Sequence, residues 1–337
     1  MITGGCIVMK DLTLAQGFAI ISLNSLDSRH MTTAKRIALR CISAAVILEL
    51  YLHGHFTEEE EQLVLKRDVL AQSDILLYQE EALKHIFKKK DVLKGTLMGW
   101  LMKAAALSDK NLKKVELVIT DSLKGLNLLE EIPNLLGCDL MYMTANITMK
   151  EYRSNSLEYN RQAEGIRSEV LEEGNLTDED ILKLWLLRES ACLNEIFTKN
   201  ELDKVRLRFN ELYQGNQLAK KIYGVSIHHM TEFAIKNFLS LKKQLVSTPV
   251  GTGINFKFPL IERSQSIFID TEAMFSNSKN RLEDMLKRLK DLGHEVTVLR
   301  EGTVPLLKID NMLYEAIPDA IMGKIPIHGI RLRRYQI

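Results

Sequence analysis

Apolar residues run almost unbroken through positions 37–52 (IALRCISAAVILELYL), with Arg40, Ser43 and Glu49 the polar exceptions. A helix that is apolar nearly all round is one the rest of a protein packs against. This stretch is too short, and too polar at Arg40 and Glu49, for a membrane span, which needs roughly 20 apolar residues. The pattern therefore predicts a buried central helix that closes at Gly54. Residues 12–26 are apolar at helical spacing and are expected to pack on it. The acid run at 57–62 reads as a solvated turn or face. Residues 63–65 and 74–78 read as two strands of a small hairpin.

Helical periodicity then predicts segments at 80–89, 91–107 and 110–132, the last interrupted at Gly125 and ended by Pro133. Residues 139–149 alternate, with β-branched and aromatic side chains, and read as a β-hairpin. From Asn155 the helical period returns. Thr177 and Asp180 resemble a capping box opening a helix over 178–197. Asn200 is expected to cap the next helix, Gly224 to end it, and a last long helix should run over 227–245. Pro249, Gly251, Gly253 and Pro259 mark a linker at 246–265. Beyond it, 266–270 reads as a strand, 280–292 as an amphipathic helix stopped by Gly293, and 294–299 and 304–316 as further strands. The expected fold is mainly α: a helical domain over 1–245 around a buried helix, with small β-hairpins, followed by a small α+β unit (β-α-β-β) over 266–337.

Composition changes this picture little. The formal net charge is +1 over 337 residues, which gives no general attraction to nucleic acid or membrane, so any such binding needs a local patch. No nucleic-acid partner is expected. Cys6, Cys41, Cys138 and Cys192 are scattered and read as reduced thiols. The N-terminal stretch carries no secretory pattern, and the expected location is cytoplasmic.

Most candidate chemistry is weak. Gly251 and Gly253 lack the context of a phosphate loop, and no cofactor is expected. His53 and His55 offer two imidazoles without a third ligand in view. His228 and His229 are adjacent and point apart on a helix. Asp270 and Glu272, at the end of an expected strand, could hold magnesium for phosphate chemistry. The basic residues are more informative. Arg36 and Arg40 lie one helical turn apart on one side, with Arg29 and Lys35 close by in sequence. They form a candidate site for an anionic headgroup at the mouth of the central helix.

At these residues the chain resembles a known family. Leu12-Thr13-Leu14 opens an apolar helix, and the central helix ends Ile47-Leu48-Glu49-Leu50-Tyr51-Leu52-His53-Gly54-His55-Phe56. Glu81-Ala82-Leu83-Lys84-His85-Ile86 follows in register. Together these are similar to the Golgi phosphoprotein three family, over residues 9–245, as a bacterial-type member with an added C-terminal unit. The resemblance implies a mostly helical, non-enzymatic, peripheral membrane protein. Eukaryotic members bind phosphatidylinositol 4-phosphate and the cytoplasmic tails of Golgi glycosyltransferases. Where the family has a tryptophan and an arginine at its lipid site, this chain has Ala34 and Ser43, so selectivity for one phosphoinositide is not expected to carry over. The function expected is binding of anionic lipid headgroups or membrane-protein tails through Arg36, Arg40, Arg29 and Lys35. The alternatives are a protein–protein adaptor without lipid binding and a phosphate-processing enzyme acting through Asp270 and Glu272. The hairpin at 139–149 is the expected contact for a homo-oligomer.

Overall fold

The structure is a computed structural model that describes residues 11–59, 62–65, 76–86, 94–140, 149–227, 266–271, 277–322 and 326–335. The expected linker, the helix at 227–245 beyond its first residue, the centre of the 139–149 hairpin, Cys6, Glu272 and the His228–His229 pair lie outside the described residues. The protein is mainly α-helical, with small antiparallel sheets and a five-stranded sheet near the C-terminus.

Helix α2 (Thr33–Leu52) is the centre. Its side chains from Ile37 to Leu50 are buried, apart from Arg40. Thr32 starts it by accepting a hydrogen bond from the Lys35 amide. Against it pack α1 (Leu14–Ser22), α4 (Leu97–Ala105), α5 (Asp109–Gly125) and α7 (Asp178–Glu189), with α3 (Leu77–Ile86) at its C-terminal half. Glu49 explains how a carboxylate sits inside this core. It accepts from the Ala15 amide (2.6 Å), from the Tyr78 hydroxyl (2.9 Å) and from Gln79 Nε2 (2.7 Å). Ala15 lies in the first turn of α1, where exposed amides and the helix dipole both favour a negative charge. The buried carboxylate thus pins α1 and α3 to α2. Among the described residues no helix is long and apolar enough to cross a membrane.

Several elements depart from the sequence pattern. The start of the acid run is a solvated face, as expected, but on a strand rather than in a turn: β1 (Phe56–Glu59), with Glu58 and Glu59 exposed, pairs with β2 (Gln62–Leu65), which pairs in turn with β3 (Lys94–Gly95). Leu77 and Tyr78, expected in a strand, open α3 instead, because Tyr78 is drawn to Glu49. The helix expected over 91–107 starts only at Leu97, after the Thr96 cap. The helix expected over 110–132 ends at Gly125, and β4 (Leu129–Pro133) pairs with β5 (Lys150–Ser154). Periodicity could not separate the two, since Leu129 and Ile132 are spaced for either a helix or a bent strand end.

Asn155 caps α6 (Ser156–Leu171). Helix α7 stops at Glu189, with Ala191 at φ +60°, so the run to 197 is broken before a short α8 (Leu193–Ile196). Thr198, rather than Asn200, caps α9 (Lys199–Gly215), through a capping box with Glu201. Helix α10 (Gln217–Tyr223) follows and ends at Gly224.

The C-terminal unit is β6 (Ile267–Asp270), α11 (Ser278–Asp291), β7 (Val296–Arg300), β8 (Leu306–Ile309), β9 (Met312–Ile321) and β10 (Ile327–Arg334). Its sheet is antiparallel in the order β6-β10-β9-β8-β7. The arginines of β10 are paired across the sheet, Arg331 to Asp319 and Arg333 to Glu315 on β9. The core of this unit takes in Leu135 and Cys138 from the short 3-10 turn Leu135–Cys138 of the preceding part of the chain. The unit is docked, not merely appended.

Candidate functional site

Tertiary packing brings the start of α5 against the start of α2. Arg36 makes a two-pronged pair with Asp109, Nε to Oδ1 at 2.8 Å and Nη2 to Oδ2 at 2.9 Å. One turn along α5, Lys113 Nζ donates to the Arg29 carbonyl at 2.9 Å. Arg29 is exposed, while Arg36 and Arg40 are half-buried. The hydrogen bonds from Arg36 hold the Asp109 carboxyl below its usual range, so the pair is charged. Burial, with Arg36 one turn away, pushes the Arg40 guanidinium down. Arg36 and Arg40 thus act on Asp109, with Lys113 one turn along α5 and joined to the exposed Arg29 through its carbonyl. Lys113 was not among the sequence candidates, because nothing local ties it to residues 29–40.

Lys35 must be taken out of that set. Its side chain has no exposed surface, and its ammonium meets Glu116 at 2.7 Å and the Asp27 carbonyl at 2.8 Å. Glu116 in turn accepts from the Tyr152 hydroxyl at 2.8 Å. Lys35 follows the α2 cap and turns inward, and its charge is neutralised inside the core. The sequence could not show this, since the partner acid lies on α5.

The other sequence candidates stand apart. The His53 and His55 rings meet edge to face with centroids 6.2 Å apart, and no third metal-ligating group joins them among the described residues. Asp270 is tied to Arg288 at 2.9 Å.

A second polar centre, absent from the sequence reading, lies where the C-terminal sheet meets the helical part. Asp310 and Asn311, at φ +46° and +72°, form the two-residue turn between β8 and β9, with Ile309 opposite Met312. Asn311 Nδ2 donates to the Ser154 carbonyl (2.7 Å) and to Asn24 Oδ1 (3.2 Å). Asn24 Nδ2 donates to the Asp310 carbonyl (3.1 Å). His294 enters from the end of α11. Gly293, at φ +92°, closes that helix, with its amide on the Lys290 carbonyl and the His294 amide on Leu289. His294 Nδ1 lies 2.6 Å from Asp310 Oδ2, and its Nε2 lies 4.0 Å from Cys138 Sγ. Asp310 Oδ1 accepts from Arg153 (3.1 Å) and from the Glu295 amide (3.0 Å). Glu151, on β5, completes the group. One ligand atom from each of Glu151, His294 and Asp310 lies within 4.8 Å of the other two, and all three residues are buried. Burial and the neighbouring Asp310 push the Glu151 carboxyl up to about 8. Burial, with Glu151 nearby, pushes the Cys138 thiol up to about 12, so it is a neutral thiol.

Glu151 also lines a cavity of about 260 Å3, shared by Asn24, Thr32, Asn134, Tyr314 and Arg334. The Asp-Asn pair between two apolar runs is a hairpin-turn signal that marks this site in the sequence, although nothing there shows what the turn touches.

No protein-family model matches the sequence, and neither does any curated protein.

Proposed function

We propose that the chain is a non-enzymatic, cytoplasmic protein that associates peripherally with membranes by binding anionic lipid headgroups at the mouth of α2. The observation that carries this reading is the grouping of Arg36, Arg40 and Lys113 near Asp109, with the exposed Arg29 joined to Lys113 through its carbonyl. The central helix ringed by others is the arrangement expected from the resemblance to the Golgi phosphoprotein three family, and it supports membership of that family as part of the proposal. Because the net charge is only +1, binding rests on this local patch. Each basic residue near an anionic surface contributes about 1 kcal/mol, and the attraction fades within a Debye length.

The test is sedimentation with phosphatidylcholine vesicles containing phosphatidylserine or phosphatidylinositol 4-phosphate, across a salt series. Binding is expected at low salt, with similar affinity for either anionic lipid, and it should weaken as salt rises. Arg36→Glu with Arg40→Glu should abolish it, and Lys113→Glu alone should weaken it. Absence of binding at low salt, or binding that survives all three substitutions, overturns the proposal.

A further inference from the structure

We propose that Glu151, His294 and Asp310 form a binding site for a divalent first-row transition metal ion, at the junction of the C-terminal sheet with the helical part.

Three observations carry this. The first is convergence. The donors come from three elements, β5, the end of α11 and the β8–β9 turn, and lie within 4.8 Å of one another while buried. The second is the way each donor is held. Asp310 has Oδ1 fixed by Arg153 and the Glu295 amide, which leaves Oδ2 for a metal. Glu151 accepts from the Leu135 amide. His294 has Nε2 toward Cys138 Sγ, which leaves Nδ1 beside Asp310 Oδ2. Outer partners that orient every first ligand are the mark of metal centres. The third is charge and access. Two carboxylates share this buried space. Arg153 pairs with Asp310 at 3.1 Å, whereas the positive charge acting on Glu151 is the more distant Arg334. Glu151 also borders the cavity of about 260 Å3, through which an ion and its waters can enter.

The donor set fixes the class of ion. One imidazole nitrogen and two carboxylate oxygens suit manganese, iron, cobalt or zinc in the divalent state, and suit calcium, which takes oxygen ligands, poorly. Metal–ligand bonds of about 2.0–2.2 Å set neighbouring donors about 3.3–3.6 Å apart in a tetrahedral site. His294 Nδ1 and Asp310 Oδ2 are 2.6 Å apart, so they separate by about 0.7–1.0 Å as the metal replaces the proton between them. Of the three donors Glu151 borders the cavity, where Arg334 and Asn134 also stand. A site with three protein ligands and open positions can hold an anionic ligand on the metal.

The experiment uses the full chain without a polyhistidine tag, stripped of metal by chelation and titrated with Mn2+ by electron paramagnetic resonance and with Co2+ by optical absorption. About one equivalent is expected to bind, with a rise in melting temperature. Glu151→Gln and Asp310→Asn should each weaken binding by at least about tenfold. His53→Ala with His55→Ala should leave it unchanged. The Co2+ spectrum should lack a sulfur-to-metal charge-transfer band, since Cys138 lies outside the donor set. The wild-type titrations need no variant to fold. Failure to bind either ion stoichiometrically, a strong sulfur band, or affinity unaltered by both carboxylate substitutions overturns the proposal.

Discussion

Glu49 and Glu151 are both buried carboxylates, and they sit in opposite circumstances. Glu49 is answered from three sides by Ala15, Tyr78 and Gln79, all donors from helices packed against its own. Glu151 accepts from one amide, lies beside a second carboxylate and borders a cavity. A buried polar group whose hydrogen bonds are complete serves the fold. One that is incompletely answered, and within reach of solvent, leaves room for a ligand. Burial alone does not separate structure from function; the difference lies in what each oxygen faces.

The contrast can be broken directly. Glu49→Ala strips the acceptor from three donors and should cost on the order of 1–3 kcal/mol in urea unfolding. Glu151→Gln in the metal-free chain should stay within about 1 kcal/mol, because the amide oxygen keeps the Leu135 contact. Equal damage from the two would make the junction a staple like Glu49. The docking of the two units sharpens the contrast next. Asn311→Ala removes two donated hydrogen bonds and places a Cβ-bearing residue without a helpful side chain at φ +72°, so it should cost about 1–2 kcal/mol. Asn311→Gly should cost less, since only the hydrogen bonds are lost.

The pH dependence separates Glu49 from an ordinary carboxylate. Burial raises its pKa above the usual value near 4.5 despite its hydrogen bonds. The sign follows from linkage: its contribution to stability is fully present below the unfolded value and is lost as pH rises through the higher folded value. The unfolding midpoint should fall with pH in that window, and Glu49→Gln should flatten the slope. The smallest effect on stability belongs to the α2 mouth. Arg36→Ala breaks a partly exposed pair with Asp109 and should cost about 0.5 kcal/mol, less at high salt, while lowering vesicle binding far more than stability.

Much of the helical part is legible from the chain. The apolar run at 37–52 can only be a core helix, and Glu49 within it demands partners, because an unanswered carboxylate there would be too costly. Thr177 marks a helix start, and Gly293 marks an end, through hydrogen bonds that close within a few residues. Local rules fail where local patterns coincide, as at 129–132, where helix and strand spacing both fit, and at 57–59, where exposed glutamates stand on an edge strand.

The sequence by itself determined most of the helical periods, the cap at Thr177, the stop at Gly293 and the need for a buried helix, since these depend on atoms only a few bonds apart along the chain. The tertiary structure alone decided that Lys35 turns inward to Glu116 while Lys113 joins the arginines outside, and that Glu151 meets His294 and Asp310. These pairings depend on which charges share a low-dielectric space after the chain has packed, and spacing along the chain carries no information about that.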